Sequence, residues 1–347
     1  MSSRYRYLLA FSVPLTVWVA LFGHGLLTFL PLGVYFGLLP LVELALGPDR
    51  RNLDAAWRER AAADRFHDLV LYAVVPFQLV TLALFLVQVG EPGLAPLEIA
   101  GRTVSMGLMC GIIGINAGHE LGHRSDPLAR RLGDVLMLTS LENHFVPYHN
   151  RGHHRNVATA ADPATARRDE PLYRFWWRSQ TGSYVQAWRL EAERLRRRGE
   201  TPYGAGNAML VYTVAQLALL GAILALFGPF VLACFLAAAL VGILLLETVN
   251  YIEHYGLVRA RRADGRAERV DHRHSWNSDH PLGRAMLFEL SRHSDHHVRA
   301  GKPYQLLDSV AESPQMPTGY PGMMLLALIP PLWFRAMNPR VDAFSGG

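Results

Sequence analysis

Histidine carries the chemistry in this sequence by its number and spacing. Of 15 histidines, 13 lie from position 119 onward. Four groups stand out: His119-Glu120-Leu121-Gly122-His123; His149-Asn150-Arg151-Gly152-His153-His154, with His144 just upstream; Asn250-Tyr251-Ile252-Glu253-His254; and His293-Ser294-Asp295-His296-His297. On a helix, spacings of three and four place side chains on one face, one turn apart. The pairs 119/123 and 149/153 and the trio 293/296/297 are each expected to aim several imidazoles at one point.

Imidazole is the commonest protein ligand for zinc, copper, iron and nickel. One ion takes only three to six ligands, so this many convergent rings point to two ions. Neutral rings leave the metal charge uncompensated, and carboxylates can orient them through the other ring nitrogen. Glu120, Asp162, Glu253, Asp279, Glu289 and Asp295 are candidates for that task. A metal that binds dioxygen must be redox-active and keep open positions, which favours iron. His119-Glu120-x-x-His123 alone also matches the zinc metalloprotease pattern, but such a site needs one or two further ligands, not seven more histidines. A membrane metal transporter would place histidines within the spans, whereas these lie mostly beyond the span ends. His144, His272, His274 and His280 stay open between ligation and the commoner role of hydrogen bonding, and His24 and His67 suit surface or structural roles.

The elements that must position these groups are membrane helices. Half of the 347 residues are hydrophobic, yet 34 are basic and 29 acidic, which means strong segregation along the chain. Apolar stretches run over 8–23, 25–46, 69–89, 100–118, 207–226 and 229–249, each long enough to cross a hydrocarbon core of about 30 Å. The expectation is one all-α domain over 1–347, with six transmembrane helices and a histidine-rich helical cap formed by 119–206 and 250–347. The pairs that nearly abut at Gly23-His24-Gly25 and Phe227-Gly228-Pro229 read as hairpins. The first run is long and lacks a small-residue cleavage site, so it reads as a retained span.

Arginine supplies nearly all the positive charge; Lys302 is the only lysine. Arg4, Arg6, the 50–65 loop and both cap segments fall on one side of a six-span arrangement. The positive-inside rule makes that side cytoplasmic, with both termini there. The same flanking position argues against nucleic acid as the partner of this basic chain. Cys110 and Cys234 lie within apolar runs, so there is no disulfide framework and no Cys-ligated redox centre. Gly107, Gly111, Gly114 and Gly118, and the Gly33/Gly37 pair, read as close helix packing, compatible with a narrow cavity beside the first set.

At its motifs the chain resembles the bacterial alkane 1-monooxygenase family of the fatty acid desaturase/hydroxylase superfamily. The residues that carry the resemblance are NAGHELGHR (116–124), HNRGHHRNVATAADPATAR (149–167), NYIEHYGL (250–257), HSWNS (274–278), ELSRHSDHHVRAGKPYQLL (289–307) and PTGYPGMMLLALIPPLWFR (317–335). Carried over position by position, it implies a non-haem di-iron centre with nine ligands: His119, His123, His149, His153, His154, His254, His293, His296 and His297. Tyr148 stands where many relatives carry an acidic residue.

The resemblance further implies O2-dependent terminal hydroxylation of medium-chain linear alkanes that arrive through membrane lipid. The chain has no redox-cofactor motif of its own, and the resemblance names rubredoxin as electron donor, reduced by an NAD(P)H-dependent rubredoxin reductase. The arginine run at 189–198 is a solvated face that could also dock an acidic donor. The alternative within the same chemistry is hydroxylation of an aromatic methyl group or a fatty-acyl terminus, or desaturation.

Overall fold

The computed structural model describes residues 4–345. Among these residues the regular structure is helical, with only two isolated β-bridges, Arg261↔Ala267 and Asn277↔Gln315.

Among the described residues, five helices are long and apolar enough to cross a membrane: α1 (Arg4–Phe22), α2 (Gly25–Leu46), α3 (Phe66–Gln88), α4 (Pro96–Gly122) and a 47-residue helix, Ala208–His254. The sequence reading expects six, because it takes 207–226 and 229–249 as separate spans. The chain stays helical on both sides of the predicted hairpin, so the two halves run on with a break of one residue. Gly228 has φ +83°, a left-handed value that glycine adopts at no steric cost, and Pro229 follows it. A straight helix of this length would measure about 70 Å, more than twice a hydrocarbon core. Contacts show that it doubles back. Tyr212, near its start, donates to Asp134 at 2.8 Å. Val231, just past the break, packs within 3.0 Å of where a Gly90 side chain would begin, at the far end of α3. Leu245 returns to Gly111 of α4.

The long helices carry apolar side chains outward as well as inward. Leu41 is 65% exposed and Leu217 62%. Such apolar exteriors mark lipid contact rather than a water-facing surface. The glycine stripe of α4 makes close helix contacts. A side chain at Gly107 would begin 2.4 Å from Val241, at Gly111 2.7 Å from Leu245, and at Gly118 3.0 Å from Met137. Gly33 and Gly37 do not share this role. Both are exposed and face open space, on a part of α2 that forms a π-helical turn over Gly33–Leu38.

The polar cap is built from α5 (Pro127–Thr139), a helical segment at 145–156 labelled α6, α7 (Leu172–Arg197), the irregular 255–292 stretch, α9 (His293–Val298), α10 (Tyr320–Ala327) and α11 (Pro330–Ser345), with Ala208–His254 as α8. Arginines from the N-terminus and the 47–65 loop lock onto it. Arg6 pairs with Glu289 at 2.7 Å and Arg58 with Asp308 at 2.5 Å. The Arg292 guanidinium donates to the Arg51 carbonyl at 2.9 Å. Buried Glu43 of α2 accepts from Gly283 N–H at 2.7 Å. The cap is thereby tied to the first two spans at several points.

Candidate metal centre

α4 and α8 both extend past the apolar stretches read from sequence, ending at Gly122 and His254. His119 and His254 therefore ride on the last turns of spanning helices, and His123 follows directly. α6 contributes three rings through a π-helical turn at His149–His153. The His154 N–H donates to the His149 carbonyl, the i→i+5 bond of that wider turn. α9 contributes the last three.

These nine rings form two buried groups. His119, His123, His149, His154 and His296 bring one nitrogen each within 4.8 Å of one another; so do His153, His254, His293 and His297. The expected sharing by helical spacing holds for 119/123 and for 293/297. It fails for 149/153, because the π turn puts 149 in register with 154 and sends 153 to the other group. His296 likewise joins the first group while its neighbours join the second.

Within the first group Nε2 of His119 lies 2.9 Å from that of His149, 3.1 Å from that of His296 and 3.1 Å from that of His123. His154 reaches His149 at 3.0 Å. In the second group the Nε2 atoms of His293 and His254 are 3.2 Å apart, and those of His297 and His293 2.9 Å. A neutral imidazole has one N–H and one lone pair, so these crowded nitrogens cannot all be satisfied by sharing protons. Nitrogens bound at about 2.1 Å with right angles between them would sit about 3.0 Å apart. The spacing fits a cation at the centre of each group. Nε2 of His153 is buried and has no protein partner, as a metal ligand requires.

Burial lowers the basicity of His123, His149, His154, His293, His296 and His297 well below the usual imidazole range, and the neighbouring rings lower it further. The rings are therefore held neutral, with lone pairs free for a metal.

Of the six carboxylates proposed to orient the rings, one does so. Asp162 Oδ2 lies 2.9 Å from Nδ1 of His153. Burial alone would raise its carboxyl, but His153, Tyr148 and Thr165 hold it down to about 2. Glu253 touches a ring at the opposite nitrogen: its Oε2 is 3.1 Å from Nε2 of His293, on the metal side, while Tyr320 donates to Oε1 at 2.7 Å. The other four do not meet the nine rings. Glu120 pairs with Arg124 at 2.9 Å and accepts from Tyr304 N–H. Asp279 takes Arg292 and Ser309. Glu289 takes Arg6, Arg284 and the Tyr7 hydroxyl. Asp295 points away from its helix neighbours toward Lys302 and His272. Each stands beside a histidine in sequence or on a neighbouring turn, but an unpaired arginine or lysine is the stronger attractor for a buried carboxylate.

His144, His272, His274 and His280 lie outside both groups. Their partners are Ser183 and Glu142, Asp295, Glu268, and Ser278 respectively. Sequence reasoning missed Tyr320 and Ser275, whose hydroxyl lies 3.5 Å from His254 Nδ1; nothing in their spacing marks them. It noted Tyr148 only as a departure. The structure gives that side chain a task, since its hydroxyl donates to Asp162 Oδ1 at 2.5 Å.

An apolar cavity opens onto the centre between α2, α4, α8 and α10. Tyr35, Leu39, Ile112, Leu245 and Met324 line its walls, and Asn116, His119, His149, Asn250, Glu253 and His293 its polar end. Phe145 stacks on His149 at 4.5 Å and belongs to the same lining.

Spanning helices, a polar cap and two groups of converging imidazoles below an apolar cavity define a multi-pass membrane protein with a paired, all-nitrogen metal centre. The fatty acid desaturase family profile matches residues 94–327. The chain is 38% identical over 94% of its length to an alkane 1-monooxygenase of Ectopseudomonas oleovorans, covering 81% of that protein. It is 39% identical over 98% of its length to alkane 1-monooxygenase 1 of Pseudomonas aeruginosa, covering 90%. It is 32% identical over 79% of its length to the xylene/toluene monooxygenase hydroxylase component of Pseudomonas putida, covering 74%. The chain belongs to the alkane 1-monooxygenase family, within the fatty acid desaturase superfamily.

Proposed function

We propose that this chain is a rubredoxin-dependent alkane 1-monooxygenase that hydroxylates the terminal methyl group of medium-chain linear alkanes. The observation that carries the reading is the apolar cavity whose polar end holds His119 and His149 of one imidazole group and His293 of the other. Two irons held there, one by His119, His123, His149, His154 and His296 and one by His153, His254, His293 and His297, supply the activation of dioxygen when bound. Overall, an alkane, O2, two electrons and two protons give a primary alcohol and water.

The protein's own part is binding and exclusion. The walls accept an apolar chain from lipid and hold its end toward the histidines. A terminal C–H bond is stronger than an internal one, so regioselectivity must come from cavity shape and from holding one carbon in reach. Asp162 fixes the ring of His153, and Tyr148 fixes Asp162.

The chain acts as one unit, crossing the bacterial inner membrane six times, with the two halves of α8 as the last two crossings. Its termini and cap are cytoplasmic, where Arg6, Arg58 and the arginines of α7 gather. That face suits an acidic electron donor. The donor is rubredoxin, fed by its NAD(P)H-dependent reductase.

The test is aerobic turnover of octane with rubredoxin, reductase, NADH and isotope-labelled dioxygen. Labelled 1-octanol is expected, and unlabelled alcohol or none would overturn the reading. The xylene/toluene relative supports a second reading, hydroxylation of an aromatic methyl group. Product identification from octane, xylene and a fatty acid offered in parallel separates the two and also detects desaturation.

A further inference from the structure

Each turnover of the proposed reaction consumes two protons, and although His123 and His154 are partly exposed toward the cap, the end of the cavity is formed by the buried His119, His149, His293, Asn250 and Glu253. Apart from the histidines, the polar end of the cavity holds Asn116, Asn250 and Glu253. Glu253 leads only to Tyr320, itself buried. Asn250 leads elsewhere. Its amide reaches Glu247 Oε2 at 3.4 Å, and Glu247 is 2% exposed. The fully buried Ser179 hydroxyl faces Glu247 and has no partner in full hydrogen-bond geometry. A second buried acid, Glu142, stands close enough that the charges of the two would repel. Gln180 donates to Glu142 at 3.1 Å and leaves its own carbonyl oxygen buried without a partner. His144 Nε2 lies 3.4 Å from Glu142 and 3.3 Å from Ser183. The His144 ring rests edge-on against Tyr184, which is 42% exposed.

Among the described residues no arginine or lysine pairs with Glu142 or Glu247. The other charged and titratable groups on the packed elements are taken. Arg178 is on Glu170, Asp134 holds the Tyr212 hydroxyl, and Asp162 is on His153. Glu247 faces Ser179 and Glu142 accepts from Gln180, the next residue of the same helix, so the two buried carboxylates lie near one another, and with no paired cation the protonated form is favoured for at least one of them. Structural pairing does not account for such a costly arrangement, which has a polar string leading outward from one acid and the cavity beside the other.

We propose that Glu142 and Glu247 form the proton-delivery route of this centre, running from the cap surface at Tyr184 through His144 to the cavity beside Asn250. The proton that Glu247 gives to the cavity is replaced from Glu142. Glu142 is refilled from Nε2 of His144, the nitrogen that faces it, and the ring regains its proton from the cap surface beside Tyr184. No oxidant or reductant beyond the overall reaction is needed. The inference rests on the monooxygenase reading for the fate of the protons, but the acid pair can be tested without it.

Infrared difference spectra of the purified protein in H2O and D2O read the pair directly. The expected result is a carbonyl band of a buried, protonated carboxylic acid that exchanges with deuterium, is reduced or lost in Glu142→Gln and in Glu247→Gln, and exchanges more slowly in His144→Phe. A band that neither Gln substitution alters, or one that never exchanges, would overturn the route. In the turnover assay both Gln variants should bind as much iron as the parent. Their rate should fall at least about tenfold, as loss of a proton-transfer group does, with a larger solvent isotope effect and partial recovery in Glu142→Asp. Full turnover, or a loss that only follows lost iron, would also overturn it. A parent that shows the exchanging band but hydroxylates nothing would sink the monooxygenase reading and leave the relay standing.

Discussion

Asp162 and His153 share one hydrogen bond of 2.9 Å, and Tyr148 grips the far oxygen of the same carboxylate. The bond fixes which nitrogen of His153 faces the second histidine group, and it adds negative charge to a centre otherwise built from neutral rings. Asp162→Asn keeps the shape but loses the charge. It should lower metal affinity by about 10- to 100-fold, the usual cost of removing such a partner, read as iron retained during titration with a chelator. Tyr148→Phe leaves the carboxylate in place and should cost much less. Equal losses in the two variants would mean that Asp162 acts through packing alone.

The two histidine groups share no residue, so damage to one should spare part of the other. His154→Ala and His297→Ala remove a ring from the group of five and the group of four respectively. Each should bring bound iron from about two toward about one per chain and abolish hydroxylation, since metal occupancy follows ligand count. His296→Ala should behave as His154→Ala does. Elemental analysis beside Mössbauer spectra distinguishes loss of one iron from loss of both. Full iron content in any of the three would remove that ring from the ligand set.

How far the sequence foretells this arrangement depends on whether a feature is periodic. The long apolar runs locate the helices to within a few residues, because spanning lipid demands length and composition that nothing else in the chain has. The nine clustered rings are likewise legible from density alone. Their partition is not, because the π turn at 149–153 shifts the register by one residue and apolar patterning does not record it. The orienting carboxylates are illegible for another reason. Glu120, Asp279, Glu289 and Asp295 each sit near a histidine in sequence, but a cation claims each of them: Arg124 four residues on, Arg292 thirteen on, Arg6 from the far N-terminus and Lys302 seven on, and helical periodicity does not say whether the ring or the cation wins. Gly228 was legible as a turn, yet helical backbone continues on both sides of it.

Gly111 lies where α4, α8 and the cavity meet. A methyl group there would begin 2.7 Å from Leu245 Cδ1 and 2.8 Å from Leu245 Cβ. Leu245 also lines the cavity, so it has to swing into the space or push α8 outward. Overpacking of this kind costs about 1–3 kcal/mol. Gly111→Ala should therefore favour shorter alkanes over longer ones in a competition assay read by gas chromatography, with a modest fall in thermal stability. Gly33→Ala faces open space and is the control; it should change neither. An unchanged product profile in Gly111→Ala would place the alkane elsewhere.

His144 gives the fold a pH dependence that can be isolated. Burial lowers its pKa from 6.5 to about 4. The unfolded chain then binds a proton more readily than the native one, so unfolding gains as pH falls. Stability from keeping this ring neutral is fully present above about pH 6.5 and is lost progressively down to about pH 4, in total on the order of 3 kcal/mol. Glu142 works in the opposite sense: burial, with Glu247 beside it, raises its pKa well above the usual range, and its contribution is lost as pH rises. His144→Gln cannot take up the proton. Its melting temperature in detergent, measured against the parent from pH 7.5 to 4, should gain on the parent steadily below pH 6.5. The comparison cancels carboxylates remote from the ring, and repeating it in a Glu142→Gln background removes the contribution of Glu142, which lies 3.4 Å from the ring. A constant difference across that window would mean that the ring is protonated in the native state and already carries its charge where it lies.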